Sequence, residues 1–255
     1  METSKNKIAL ITGGSRGLGK DMALSIAERG NDVIITYNSN KEASEQVVTS
    51  IQEKGQKAVA LQLSVEDSGS FNNFKATVET ALQDTFGAST FDYLVNNAGI
   101  GIHAMVAETS MEQFNQLFNI HLKGPFFLTQ TLLPLISDGG GIVNVSTGLA
   151  RFALPGYGAY ASMKGGMEVF TKYLAKELGN RGINANIIAP GAIATDFGGG
   201  VVRDNEEVNN HISSTIALGR VGEANDIGSV VAFLCSEDAN WVNAQRIEIS
   251  GGQNI

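Results

Sequence analysis

The strongest constraint in this chain is a rhythm. Short runs rich in β-branched residues alternate with longer stretches of helical period: KIALIT then 17–30, DVIITY then 41–54, KAVALQL then 67–86. The alternation continues through FDYLVNN, a long helical stretch over 111–136, GIVNVS, the helix containing GAYASMKGG, INANIIAP and finally AQRIEIS. Strands separated by helices return to the sheet as β-α-β units, so seven parallel strands are expected. The strand runs are apolar throughout instead of alternating, as burial between two helical layers requires. The predicted fold is therefore α/β, with a doubly wound seven-stranded parallel sheet and helices on both faces. A chain of 255 residues, 43% hydrophobic, can bury a large core as one domain, and no linker, charge block or repeat divides 1–255. The exception to the rhythm is 196–220, DFGGGVVRDNEEVNNHISSTIALGR, read as a long loop whose glycine-rich start excludes it from the core and whose length after a strand marks it as functional.

Charge and cysteine content narrow the function. A net charge of −8 leaves no basic stripe for a phosphodiester backbone or an anionic membrane, so neither nucleic acid nor membrane is an expected partner. The single cysteine, Cys235, lies in the apolar run VVAFLCS and reads as a buried hydrophobe. IALIT is too short for a secretory segment and enters a glycine loop, so a cytoplasmic location is expected and the NVS triplet at Asn144 reads as strand, not as a glycosylation site. No metal site is expected.

TGGSRGLG follows the first strand and opens a helix. Gly13 permits a tight turn, Gly17 lets backbone approach a pyrophosphate, Gly19 allows close helix packing, and the helix start favours negative charge. Ser15, Arg16 and Leu18 complete this phosphate loop. The same letters spell G-x-S-x-G, so Ser15 could instead be a hydrolase nucleophile with His103, His121 or His211 as base. Further on, Tyr160 precedes Lys164 by one helical turn, which puts both on one face. Tyr37 and Lys41 repeat the spacing, so spacing alone decides nothing.

Position decides it. After the glycine loop come NNAG at 96–99, YASMK at 160–164, PGAIATD at 190–196 and SGG at 250–252, in that order. With these motifs the chain resembles the short-chain dehydrogenase/reductase family over nearly its full length. The resemblance implies a three-layer Rossmann fold and a hydride moved between a nicotinamide and a carbonyl or alcohol carbon. It makes Tyr160 the general acid/base and gives Lys164 a second task on the nicotinamide ribose. A tyrosine titrates near ~10, and a neighbouring ammonium is expected to lower that value. The resemblance also assigns Asn97, Ala98 and Gly99, with Asn96, to the adenosine side, Ser64 and Val65 to the adenine, and Pro190, Gly191, Ile193 and Thr195 to the nicotinamide end.

Two positions depart from the family pattern. Where the family usually has serine, thirteen residues before the tyrosine, this chain has Thr147, which keeps the hydroxyl; Ser146 is the fallback, although alternation along a strand turns it away. The usual helix asparagine aligns with His121, whose imidazole could hold a relay water and would add a titration near neutrality. No acid follows strand two before Glu42, while Arg16, Asn38 and Ser39 can face a 2′-phosphate, so NADP(H) is favoured over NAD(H). The expected substrate is a small carbonyl or alcohol, a 3-oxoacyl thioester among the candidates, in which case Lys172, Lys176 and Arg181 could meet an acidic carrier. The resemblance further implies self-association, usually as a tetramer through the long helices after strands four and five. A noncatalytic nucleotide sensor remains the reading from another class.

Overall fold

The apolar runs pair into one sheet in the order β3-β2-β1-β4-β5-β6-β7, every neighbouring pair parallel. The strands are β1 (Ile8–Ile11), β2 (Asp32–Tyr37), β3 (Ala58–Gln62), β4 (Phe91–Asn96), β5 (Ile136–Val145), β6 (Asn184–Pro190) and β7 (Arg246–Ile249). This is a computed structural model and it describes residues 6–255. The Rossmann expectation holds in strand number, direction and layering. Tyr37 closes β2.

Residue parity along each strand separates two cores. Ala9, Ile11, Val33 and Ile35 face α1 (Gly17–Glu28), α2 (Lys41–Gln52) and α9 (Ala224–Leu234), meeting Met22, Ile26, Ile51 and Val231. Ile8, Leu10, Ile34 and Leu94 face the other layer, α3 (Phe71–Ala81), α5 (Gly124–Leu132) and α6 (Gly158–Glu177), meeting Phe71, Val78, Leu128 and Leu174. Both faces of β1 and β2 are thus covered, which is why their sequences carry no polar alternation. Asn144 is wholly buried in β5, and Cys235 lies in the first core, where burial pushes its thiol well above the usual range.

The buried amides of β4 and β5 donate to one another and to the helices, while Asn96 Oδ1 and, in β6, Asn184 Oδ1 are buried without a partner among the described residues. Asn96 donates to Thr129 and to Asn144, and Asn144 donates to Thr171, all at 2.9–3.0 Å. Buried amides of this kind are tolerated when paired and fix the register of β4, β5 and α6.

Two stretches differ from the sequence reading. The helical run over 111–136 is not continuous: α4 (Met111–Phe118) passes through a π-turn, Asn119–Lys123, into α5, and Ile136 already begins β5. Residues 196–220 are not a bare loop. After Gly198, Gly199 and Gly200, all at positive φ, come α7 (Val201–Asp204) and α8 (Glu206–Ser213), the second capped by Asn205 on Val208 N. The glycine triplet interrupts regular helix, because its left-handed backbone breaks the hydrogen-bond ladder, and after α8 the chain leaves helix again over 214–220.

Candidate active site

Winding reverses between β1 and β4, and in such sheets the crevice beyond the strand ends at the reversal is where ligands bind. Both exits carry motifs read from the sequence. Gly13 and Gly17 adopt φ of +69° and +54°. A Cβ on Gly13 would stand 3.0 Å from Ala98 Cα, and one on Gly19 only 2.2 Å from the Gly13 carbonyl. Thr12 fastens the two loops: its Oγ1 accepts from Asn97 N and Ala98 N at 2.9 and 3.0 Å, while Asn97 Nδ2 donates to Thr12 O at 2.9 Å. The start of α1 has neither an acid nor a side-chain cap, which leaves its first N–H groups to an anion. Asn96 does not border the crevice as expected, because its amide is turned into the core pairing with Thr129 and Asn144.

The remaining predicted cofactor residues lie around this cradle. Asn38 and Ser39 are exposed just past β2. Ser64 and Val65 are half-buried after β3, the Val65 carbonyl packed where a Cβ on Gly124 would fall, 2.1 Å away. Pro190 ends β6, and Gly191 packs against Ser250, to which a Cβ would come within 2.8 Å. Ile193 bridges to Gly222, and Thr195 lies 3.8 Å from where a Cβ on Gly17 would stand. Arg16 is exposed and reaches Asp196 at 3.9 Å, so it is not an unpartnered surface arginine.

β5 and α6 bring the catalytic candidates together. Tyr160 and Lys164, one turn apart in α6, are both buried, at 7% and 5% exposure. The Thr147 side chain, at the exit of β5, lies beside the phenol. Ser146 faces elsewhere, its Oγ donating to Glu168 Oε1 at 2.6 Å. Lys164 Nζ donates to the Val145 carbonyl at 2.7 Å and stands 5.9 Å from the centre of the Tyr160 ring. Burial pushes the phenol up, well above its ordinary value, with Thr147 opposing the rise; burial also lowers the Lys164 ammonium to about 7. The expected depression of Tyr160 by Lys164 is therefore absent here. Both groups have lost water, and the amine is held by a backbone carbonyl, so desolvation outweighs their mutual attraction.

His121 occupies the π-turn with its ring edge-on to Tyr160, centroids 5.1 Å apart. Its Nε2 lies 2.8 Å from the Ile100 carbonyl and 3.3 Å from Ile100 N; the tautomer that serves the shorter contact carries its proton on Nε2 and leaves Nδ1 a lone pair. Nδ1 is buried with no hydrogen-bond partner among the described residues. Only a glycine at 99 leaves the imidazole space, since a Cβ there would meet Cε1 at 2.7 Å. Burial first, then the Lys164 charge, hold His121 well below its usual value. The expected titration near neutrality is corrected accordingly: this imidazole stays neutral, an acceptor and not a switch.

The hydrolase alternative loses its base. His121 is committed to Ile100, His103 packs edge-on against Tyr157 at 5.2 Å, and His211 lies on the exposed helix α8.

Comparison with known proteins agrees with this geometry. A family model described as enoyl-(acyl carrier protein) reductase matches residues 13–254. A short-chain type dehydrogenase/reductase of Picea abies is 35% identical over 97% of this chain and 92% of its own. The chain belongs to the short-chain dehydrogenase/reductase family. Within that family it is also similar to an NADPH-dependent aldehyde reductase-like chloroplastic protein of Arabidopsis thaliana, 34% identical over 96% of this chain and 93% of the relative. The angucycline C-6 ketoreductase LanV, solved with bound NADP, superposes with a TM-score of 0.92 at 34% identity, covering 97% of this chain and 95% of that one.

Sequence reading missed two sets of residues around the site. Tyr157 and Phe197 flank Tyr160 at ring separations of 6.4 and 5.9 Å, and Phe197 was hidden in the segment read as a loop. Glu168 and Arg246 meet behind Thr147; the i, i+4, i+8 series Tyr160, Lys164, Glu168 was the available signal for the first, and nothing in β7 pointed to the second.

Proposed function

We propose that this protein is an NADP(H)-dependent carbonyl reductase in which Tyr160 donates the proton to the substrate oxygen. The observation that carries the reading is the buried Tyr160–Thr147 pair beside a glycine cradle that fits a dinucleotide: positive-φ glycines packed on 97–98, an uncapped helix start, and a buried unpaired Nδ1 beside Gly99. Gly13, Ser15, Gly17, Leu18 and Gly19 would hold the pyrophosphate, and Thr195 with Ile193 the carboxamide. When bound, the nicotinamide supplies the hydride.

The protein's own groups do the rest. A phenol whose pKa is raised is protonated at neutral pH, which suits it to act as the acid in carbonyl reduction. Thr147 holds the same oxygen and orients the phenol. Lys164, near neutrality in its affinity for protons, can resupply the phenol from its own face of α6. His121 Nδ1 can accept from a water on that route without taking the proton itself. NADP(H) over NAD(H) is supported by the absence of an acid after β2, by the exposed Arg16 guanidinium, and by the NADP bound in the ketoreductase it resembles.

For the substrate, the reading is a free ketone with an apolar, ring-bearing body. His103, Tyr157 and Phe197 gather around Tyr160, and Met105, Val106 and Leu154 are exposed nearby in chain. Arg151 and Arg203 are bound to Glu248 and to Asp196 with Asp204, so neither is free for an anionic tether. A carrier-bound 3-oxoacyl thioester is the second reading, favoured by the description of the matching family model. The carrier contact expected from Lys172, Lys176 and Arg181 is not where it is needed. Lys176 lies roughly 24 Å further along α6 than Tyr160, and Arg181 is bonded to Asp138 and to the carbonyls of Leu133 and Ile136, at the opening of β5.

Phe114, Phe118, Phe126 and Phe127 on α4 and α5, with Val169 and Tyr173 on α6, stay exposed, which supports self-association through these helices; a tetramer in the cytoplasm is the form this reading proposes. Among the described residues no helix is long and apolar enough to cross a membrane.

The deciding experiment follows NADPH consumption with polycyclic and aryl ketones, short aliphatic ketones and 3-oxoacyl thioesters, and repeats the productive ones with NADH. Turnover of ring-bearing ketones with a higher kcat/KM for NADPH is expected. Turnover of thioesters alone would establish the second reading, and tight NADPH binding with no turnover on any substrate would leave a sensor.

A further inference from the structure

We infer that Arg246 is a positioning residue for the reaction, acting through Thr147; the inference rests on the proposed role of Thr147. Each nitrogen of its guanidinium has a different acceptor. Nε donates to Glu168 Oε1 at 2.7 Å, Nη1 to Glu248 Oε2 at 2.9 Å and Nη2 to the Thr147 carbonyl at 3.2 Å. The planar fork therefore ties three elements together: α6 through Glu168, β7 through Glu248, and the exit of β5 through Thr147 itself.

Glu168 makes the connection specific to the chemistry. It sits two turns along α6 on the face that presents Tyr160 and Lys164, and it also accepts from Ser146 Oγ at 2.6 Å. Ser146 and Thr147, adjacent on β5, are thus held to the helix that carries the phenol, one through its side chain and the other through its carbonyl. Arg151, in the turn that follows Thr147, closes the assembly by binding Glu248 with Nε and Nη2, the Gln253 carbonyl also with Nη2 and the Asn254 carbonyl with Nη1. Arg246 and Glu168 are about one-fifth exposed, 23% and 20%, so their pairing is shielded from much of the solvent that weakens surface ion pairs.

The consequence is geometric. Thr147 Oγ1 and Tyr160 must converge on one substrate oxygen, and the register between the β5 exit and α6 sets that convergence. Without Arg246 the Thr147 carbonyl keeps only the N–H of Ala150 in its own turn, Glu168 keeps only Ser146, and the tie between the β5 exit and α6 is cut, so the hydroxyl can drift relative to the phenol. A misplacement of about 1 Å at a reacting group can lower turnover roughly 100-fold. Lysine keeps the charge but cannot reach three acceptors in one plane.

The test is a double-mutant cycle on kcat with Arg246→Met, Thr147→Ala and the pair, with NADPH affinity and thermal stability followed in each folded variant. Arg246→Met is expected to lower kcat about 10- to 100-fold with NADPH affinity nearly unchanged, Arg246→Lys to recover part of it, and Thr147→Ala to abolish any further effect of Arg246→Met. Multiplicative losses in the pair, or a fall in NADPH affinity equal to the fall in kcat, would overturn the inference and leave Arg246 a structural residue. Unchanged kcat in Thr147→Ala alone would instead overturn the role of Thr147. Should Arg246→Met fail to fold, Glu168→Gln, which weakens the same tie, gives the second cycle with the same expected non-additivity.

Discussion

The two walls of the site are built on opposite plans. On the β5–α6 side, Tyr160, Lys164 and Thr147 are buried, with Lys164 bonded to the Val145 carbonyl and Thr147 backed by the Glu168–Arg246 assembly. On the other side, the first part of 196–220 hangs from three consecutive positive-φ glycines, presents Phe197 and Val201 to solvent, and is held by the exposed pairs of Arg203 with Asp196 and Asp204 and of Arg16 with Asp196, while its end, 215–218, is tied by backbone bonds to 251–254. Over-determined geometry belongs where a proton moves over a fraction of an ångström; a hinged, weakly pinned cover belongs where substrates enter and leave. Under the proposed function, the chemistry falls to the first wall and substrate choice to the second.

The largest expected effect lies on the rigid wall. Tyr160→Phe should lower kcat by about 10²- to 10⁴-fold while leaving NADPH affinity within a few-fold, read by single-turnover kinetics and fluorescence titration. Equal losses in both would mean that the phenol packs the cofactor and does no chemistry. On the hinged wall the pattern should invert. Phe197→Ala should raise KM for a ring-bearing ketone about tenfold, with kcat and the KM of a short aliphatic ketone little changed, because the ring removed offers stacking area and no proton. A fall in kcat for both substrates would erase the contrast between the walls.

The smallest effect is on stability and concerns Lys164. Its folded-state pKa of about 7 lies below the unfolded value of 10.5, so between these values the unfolded chain binds more protons and stability rises with pH. Above about 10 the raised pKa of Tyr160 works in the opposite direction, since the unfolded chain then loses a proton that the native phenol keeps. A melting temperature that climbs by a few degrees from neutral to alkaline pH in the parent, and less in Lys164→Met, is expected. The same slope in both would show that Lys164 is not desolvated in the native state.

How much of this was legible in the sequence follows the same division. Seven strands, their parallel order of use and both glycine-bearing exits could be read because apolar runs and positive-φ glycines are local signals with a fixed period or spacing. The family's spacing to Tyr160 picks out Thr147 over Ser146, with alternation along the strand counting against Ser146. What could not be read depended on contacts distant in sequence. Burial reverses the expected effect of Lys164 on Tyr160, and it silences His121, yet neither burial nor the Val145 carbonyl is visible in YASMK or FNIHLKG. Arg246 meets Glu168 and Thr147 only because β6 lies between β5 and β7. The helices within 196–220 were obscured by the triplet of glycines, although Asn205 followed by two glutamates is a start signal that composition overshadowed.

One measurement bears most directly on the central claim, that a buried phenol and the threonine hydroxyl beside it act on a single oxygen. It is the structure of the ternary complex with NADP⁺ and an unreactive ring-bearing ketone or its alcohol. The account predicts that the substrate oxygen lies within hydrogen-bond distance of both Tyr160 Oη and Thr147 Oγ1, with Arg246 still on the Thr147 carbonyl. An oxygen bonded to neither hydroxyl, with the ligand seated instead against 196–220, would contradict it.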